Sequence, residues 1–173
     1  LNGLYHLTLL RLNILIRSKC SGKKLPMKIA FGCDHAGYDG PEPFYKPEIA
    51  QYLTKMGHEV LDCGTHGPES VDYPDYANEV CQAVLNGTAA YGLLLCGTGI
   101  GIGIAANRHQ GIRAATCSTE EMARLAREHN DANVLCLGRR ILTLEECFRL
   151  IDVFLSESFD GGERHVRRIE KMG

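Results

Sequence analysis

The stretch Leu93–Arg108, LLLCGTGIGIGIAANR, decides how the chain folds. A hydrophobic run stops at Cys96, turns through Gly97, Thr98 and Gly99, and continues as an apolar segment compatible with a helix. A strand feeding a helix through a bare glycine turn is half of a β-α unit, the building block of parallel sheets. This strand also ends in a thiol, directly before backbone that has no side chains to keep a ligand away. Successive N–H groups in such a turn form a concavity for anions, helped by the positive end of the following helix. The glycines alone are equally explained by tight packing of strand on helix.

The same alternation extends in both directions. KIAFGC (28–33) reads as a strand, YKPEIAQYLTKMG (45–57) as a helix closed by Gly57, and HEVLDCG (58–64) as a second strand. After the Gly- and Pro-broken loop THGPESVDYP, DYANEVCQAVLNG (75–87) reads as a helix between Asp75 and Asn86-Gly87. YGLLLC (91–96) is the third strand, GIGIAANRH (101–109) a helix and GIRAATC (111–117) the fourth strand. STEEMARLAREHN (118–130) opens with Ser118 and Glu121 at capping-box spacing. ANVLCLG (132–138) is the fifth strand, and TLEECFRLIDVFLSESF (143–159) a long amphipathic helix. The expected fold is α/β: one three-layer α/β/α, Rossmann-like domain with a five-stranded parallel sheet. The strands are continuous apolar runs, as when helices cover both faces. Ligands of such sheets bind beyond the carboxyl ends of the strands. Cys33-Asp34-His35, Cys63-Gly64, Cys96-Gly97 and Cys117-Ser118 all fall there.

At 173 residues one domain is expected, 45% hydrophobic and 23% charged like an ordinary globule. Residues 1–26 are set apart as a leader, either a targeting peptide or a non-native extension before a natural start at Met27. Residues 1–27 hold Arg11, Arg17, Lys19, Lys23 and Lys24 and no acid. The remainder therefore sets 14 basic against 21 acidic side chains, a net of −7. An acidic body argues against nucleic acid or an anionic membrane as a general partner. The longest apolar stretch of the leader is broken by Arg11 and too short to cross a bilayer. None of the eight cysteines sits in a C-x-x-C pair, which fits buried thiols in a reducing, cytoplasmic setting.

Several side chains at the rim carry chemistry. A thiol at a helix's positive end, beside an anion hole, is suited to losing its proton, so Cys96 is the first candidate, although a buried structural cysteine has the same signature. Asp34 and His35 could grip sugar hydroxyls or pass a proton, and no further ligand set accompanies them for a metal. His129, Asn130 and Asp131 lie between a helix and a strand, where a histidine also serves as a cation near the last carbonyls. Arg164 and Arg168 are four apart, on one face if the tail is helical, and could hold one phosphate; a solvated tail is the alternative. Arg139 and Arg140 add cations near the end of the fifth strand. Gly101, Gly103 and Ala106 fit a dinucleotide G-x-G-x-x-A pattern, but that pattern should abut its strand, and here Gly97 does.

Taken in order, IAFGCDHAG, DYPDYA, LLLCGTGIGIGIAANR, GIRAATC, HNDANVLCLGRR and GGERHVRR resemble the type B ribose-5-phosphate isomerases, a family that also contains galactose-6-phosphate and allose-6-phosphate isomerases. The resemblance spans Met27 to the end. It implies an aldose–ketose isomerase of carbohydrate metabolism, acting on ribose 5-phosphate or a six-carbon sugar phosphate with neither metal nor organic cofactor. By the same resemblance Cys96 moves the proton between C1 and C2. Gly97, Thr98, Gly99, Ile100 and Gly101 hold the enediolate, with Thr98 contributing its hydroxyl. His129 opens the sugar ring and Asn130 adds a donor. Asp34 and His35 contact the sugar; Arg140 also binds substrate, and Arg164 and Arg168 bind phosphate. The resemblance further implies a homo-oligomer, a dimer or tetramer with each site shared between two subunits. A nucleotide-binding module without turnover is the competing class, and it would have no use for a thiolate. Two departures stand out: the extra residues DGPEPF (39–44) beside Asp34 and His35, with Pro41 and Pro43, and Glu163 between the glycine pair and Arg164.

Overall fold

A computed structural model describes residues 25–173. The expected leader, residues 1–26, lies outside the described residues except for Leu25 and Pro26. The order is β1 (Lys28–Cys33), a 3-10 turn (His35–Tyr38), α1 (Tyr45–Lys55), β2 (Glu59–Asp62), α2 (Tyr73–Leu85), β3 (Tyr91–Cys96) and α3 (Ile100–Ala106). Then come β4 (Ala114–Thr116), α4 (Glu120–Asn130), β5 (Val134–Gly138), α5 (Leu144–Ser156) and α6 (Glu163–Glu170). The five strands form one sheet in the order β2-β1-β3-β5-β4, every neighbouring pair parallel.

Alternation of side chains across the strands divides the core into two clusters. Ile29, Phe31, Leu93, Leu95, Leu135 and Leu137 meet α1, α4 and α5 on one face. Ala30, Leu94, Cys96, Val134 and Cys136 meet α2 and α3 on the other. This is the expected three-layer arrangement. The central strands β1, β3 and β5 are buried almost throughout, whereas β2 and β4 are only half covered. The edge strands therefore depart from the expectation of two covered faces.

The start of α4 also differs. Thr119, not Ser118, caps it, accepting a hydrogen bond from the Met122 N–H at 3.2 Å. Cys117 N–H still donates to Cys136 across the sheet, so the chain stays extended and the cap falls one residue later than expected. Glu121 instead binds Arg124, and the reciprocal capping box forms at α5 between Thr143 and Glu146. The tail is helical, the condition under which Arg164 and Arg168 share one face, and Glu163 occupies its first turn, where an acid is favoured.

The β3–α3 turn packs directly on the end of β5. Gly99 adopts φ +76°, and a Cβ on Gly138 would stand 2.6 Å from the Thr98 carbonyl oxygen. A Gly138→Ala variant must push this turn away and should lose about 2 kcal/mol in urea unfolding. A loss below about 0.5 kcal/mol would show that the turn can shift freely.

Candidate active site

Strand order locates the crevice. From β1 the chain runs outward to β2, and from β3 it runs to the other side, so the connections diverge between the ends of β1 and β3. Asp34 and the Cys96–Gly101 turn flank this point. Cys96 is buried, 4% exposed, and its Sγ accepts the Gly99 N–H at 3.2 Å. That donor fixes the position of the sulfur. The exposed Thr98 hydroxyl accepts from Ile100 N–H at 3.3 Å. The N–H groups of Thr98 and Gly101 have no acceptor among the described residues.

Other side chains converge on the turn. Arg140 lies over Gly97, where a Cβ would be 3.2 Å from its Nη1. Arg139 N–H donates to the Cys96 carbonyl and Arg140 N–H to the Gly97 carbonyl, both at 2.9 Å. Asp34 is 5% exposed, and its Oδ1 accepts the Ala36 N–H at 2.9 Å. Burial pushes its carboxyl above the usual range, against the opposing pull of that N–H and of His35. His35 Nδ1 accepts the Val71 N–H at 3.2 Å.

Five other described thiols pack in the core. Burial pushes Cys33 and Cys147 up to about 12, and Cys81 and Cys117 to about 11. Cys136 is raised well above the ordinary thiol, again chiefly by burial. These are neutral packing residues.

His129, Asn130, Arg164 and Arg168 are not at this rim. Helices run antiparallel to the strands, so α4 ends at the opposite edge of the sheet. There Arg127 donates to the Tyr91 hydroxyl at 2.9 Å, and Asn133 accepts from Gly92 N–H at the start of β3. Cys96 is five residues further along β3, roughly 16 Å away at strand rise. The His129 ring stacks on His165 of α6 with centroids 4.4 Å apart. Ligand atoms of His129, Asp160 and His165 lie within 4.8 Å of one another, but Arg164 Nε–H donates to His165 Nε2 at 2.9 Å, a poor neighbour for a cation. Arg164, Arg167 and Arg168 are exposed and form no ion pair among the described residues. A cavity of about 440 Å³ opens beside Asn130 and Arg113 at this same edge, away from the thiol.

Residues 29–172 match the ribose/galactose isomerase family. The chain belongs to that family. It is 48% identical over 145 residues to ribose-5-phosphate isomerase B of Escherichia coli, covering 84% of this chain and 93% of that protein. Its fold is similar to that of Clostridium thermocellum ribose-5-phosphate isomerase B, with TM-score 0.80 and 51% identity over 85% of this chain and 95% of the other. The Thermotoga maritima enzyme gives TM-score 0.79 and 52% identity over 84% and 97%. By class, this member of the ribose/galactose isomerases is an aldose–ketose isomerase.

Sequence reasoning left two neighbours of the site without a role. Tyr73 covers Gly101, where a Cβ would be 2.8 Å from the phenol ring carbon and 2.9 Å from its oxygen. The DYPDYA motif contained it, but nothing in the spacing tied it to a turn 28 residues away. Asp39 was visible only as part of an insertion.

The raised Asp34 gives a test of sign. Its folded pKa exceeds the unfolded value, so its contribution is favourable in acid and is lost as pH rises through the folded pKa. Asp34→Asn, which cannot ionise, should be more stable than the parent at neutral pH, and the difference should shrink in acid, read by denaturant unfolding. A less stable variant at neutral pH would contradict this.

Proposed function

We propose that the chain interconverts ribose 5-phosphate and ribulose 5-phosphate with Cys96 as the base. The observation that carries the reading is the Cys96 sulfur, fixed by the Gly99 N–H beneath a turn with open donors. Removing a proton next to a carbonyl needs a base and donors aimed at the oxygen that becomes negative. The Cys96 thiolate takes the C2 proton of the open aldose, and the carbonyl electrons move to O1. Thr98 and Gly101 N–H groups, with the Thr98 hydroxyl, hold the enediolate oxygens. The sulfur returns the proton to C1, the O2 proton passes to O1, and the ketose is complete. Asp34 and His35 grip the sugar hydroxyls.

His129 delivers the proton that opens the ring, Asn130 binds beside it, and Arg164 and Arg168 hold the phosphate. These four reach Cys96 from a second copy of the chain. Two copies packed antiparallel about a twofold axis set the amino edge of each against the carboxyl rim of the other. Arg164 and Arg168, exposed and in no ion pair among the described residues, support this, as do Ile100, Ile104 and Ile141, which are 58%, 63% and 59% exposed. The seven described cysteines are free, which suits a reducing compartment such as the cytoplasm. No described helix is long and apolar enough to cross a membrane.

The test is turnover of ribose 5-phosphate in EDTA, beside allose 6-phosphate and galactose 6-phosphate. Ribose 5-phosphate should be preferred, and Cys96→Ala should lower kcat at least about 10²-fold. A fully active Cys96→Ala protein would remove the base, and preference for a six-carbon sugar would replace the substrate.

A further inference from the structure

Among the residues of α6 only His165 is buried, 5% exposed. An imidazole taken out of water needs partners, and this one has two. Its face lies on the half-buried His129 ring, with centroids 4.4 Å apart and planes 18° from parallel. Its Nε2 accepts the Arg164 Nε–H at 2.9 Å. A guanidinium only donates, so this bond uses the imidazole lone pair. The Asp160 carboxylate is engaged nearby in shaping the turn into α6, where Oδ1 accepts the Gly162 N–H at 2.8 Å and Oδ2 stands 3.6 Å from His165 Nε2. Asp160 N–H donates to the Glu128 carbonyl at 3.0 Å, which ties this turn to the residue before His129. The His129 ring makes no hydrogen bond among the described residues, so the stack sets its plane and its nitrogens stay open. Arg164 commits Nε to His165, and its two Nη groups make no hydrogen bond among the described residues.

We infer that His165 is a positioning residue that sets the ring-opening acid and a phosphate-binding cation at one fixed separation. The inference rests on the ring-opening role of His129 and the phosphate role of Arg164. In ribose 5-phosphate the ring oxygen and the phosphate are joined only through C4, C5 and O5, so the distance between them is narrowly limited. The acid must stand within hydrogen-bond reach of the oxygen it protonates, and a misplacement of about 1 Å can cost about 10²-fold in rate. One buried ring touches both groups. Its face holds the acid, and its Nε2 holds the guanidinium so that the Nη pair is left for phosphate oxygens. Covered by these contacts, His165 acts through its neighbours. Proton transfer between C1 and C2 belongs to Cys96 at the other rim and does not draw on it.

Two variants separate the two contacts. His165→Gln keeps an acceptor for Arg164 and removes the stacked ring; kcat for ribose 5-phosphate should fall about tenfold at nearly unchanged KM. His165→Phe keeps the stacked ring and removes the acceptor; KM should rise about fivefold at nearly unchanged kcat. Ribulose 5-phosphate supplies the control. It is open-chained, so exchange of its C1 proton with D2O, followed by NMR, needs Cys96 but no ring opening. In His165→Gln that exchange, at saturating substrate, should stay within about twofold of the unaltered protein. A merely structural role would lower isomerisation and exchange together. The same kcat and KM pattern in both variants, or loss of exchange in His165→Gln, overturns the assignment. If the unaltered protein neither isomerises ribose 5-phosphate nor exchanges ribulose 5-phosphate, the isomerase reading falls, and the ring-opening half of the assignment falls with it. Calorimetry of the full chain with inorganic phosphate then decides the Arg164 half: His165→Phe should weaken binding about threefold and His165→Gln should leave it unchanged, and equal effects overturn it.

Discussion

The turn between β3 and α3 lies so close to the end of β5 that no side chain fits between them. Gly138 leaves the space that the Thr98 carbonyl fills, and Gly99 takes the left-handed conformation that brings the chain round. Two N–H groups beyond β5 then bind the last carbonyl of β3 and the first of the turn. One short contact therefore places the Cys96 sulfur, the open N–H groups and the Arg140 guanidinium relative to one another. Glycine is costly in backbone entropy, and its concentration here is explained by geometry that a side chain would forbid.

A second constraint follows from topology. In a parallel sheet every residue after a strand emerges at one edge, and every residue after a helix at the other. Asp34, Cys96 and Arg140 follow strands; His129 and Asn130 end a helix. No loop adjustment brings the two groups together within one chain. The packing of α6 on α4, through stacked His129 and His165, keeps the exposed arginines at the second edge. The exposed Arg164 and Arg168 thus lie at one end and the bare donors of the turn at the other. In the proposed reading a second copy unites them.

Much of this was legible in the sequence because it depends on short-range signals. The glycine turn, the strand-end cysteine and the five β-α alternations are local patterns, and the structure has them at nearly the expected positions. The i,i+4 arginines could be read as one helical face. The strand order could not, since the apolar runs of β3 and β5 carry no mark of which neighbour they choose. Nor could the cap of α4, where adjacent Ser118 and Thr119 compete and pairing across the sheet decides. Tyr73 and Asp39 gained their places only through contacts 28 and 101 residues away in sequence. In the candidate site, residue types were readable, while the division between two edges required the fold.

The most direct test is to combine two inactive proteins. Cys96→Ser and His129→Ala variants, each lacking one half of the proposed site, would be refolded together and assayed on ribose 5-phosphate. If each site takes Cys96 from one copy and His129 from another, mixed dimers contain one intact site. Activity should then return to roughly a quarter of the unaltered protein's. A mixture that forms mixed dimers yet stays inactive would contradict the shared site.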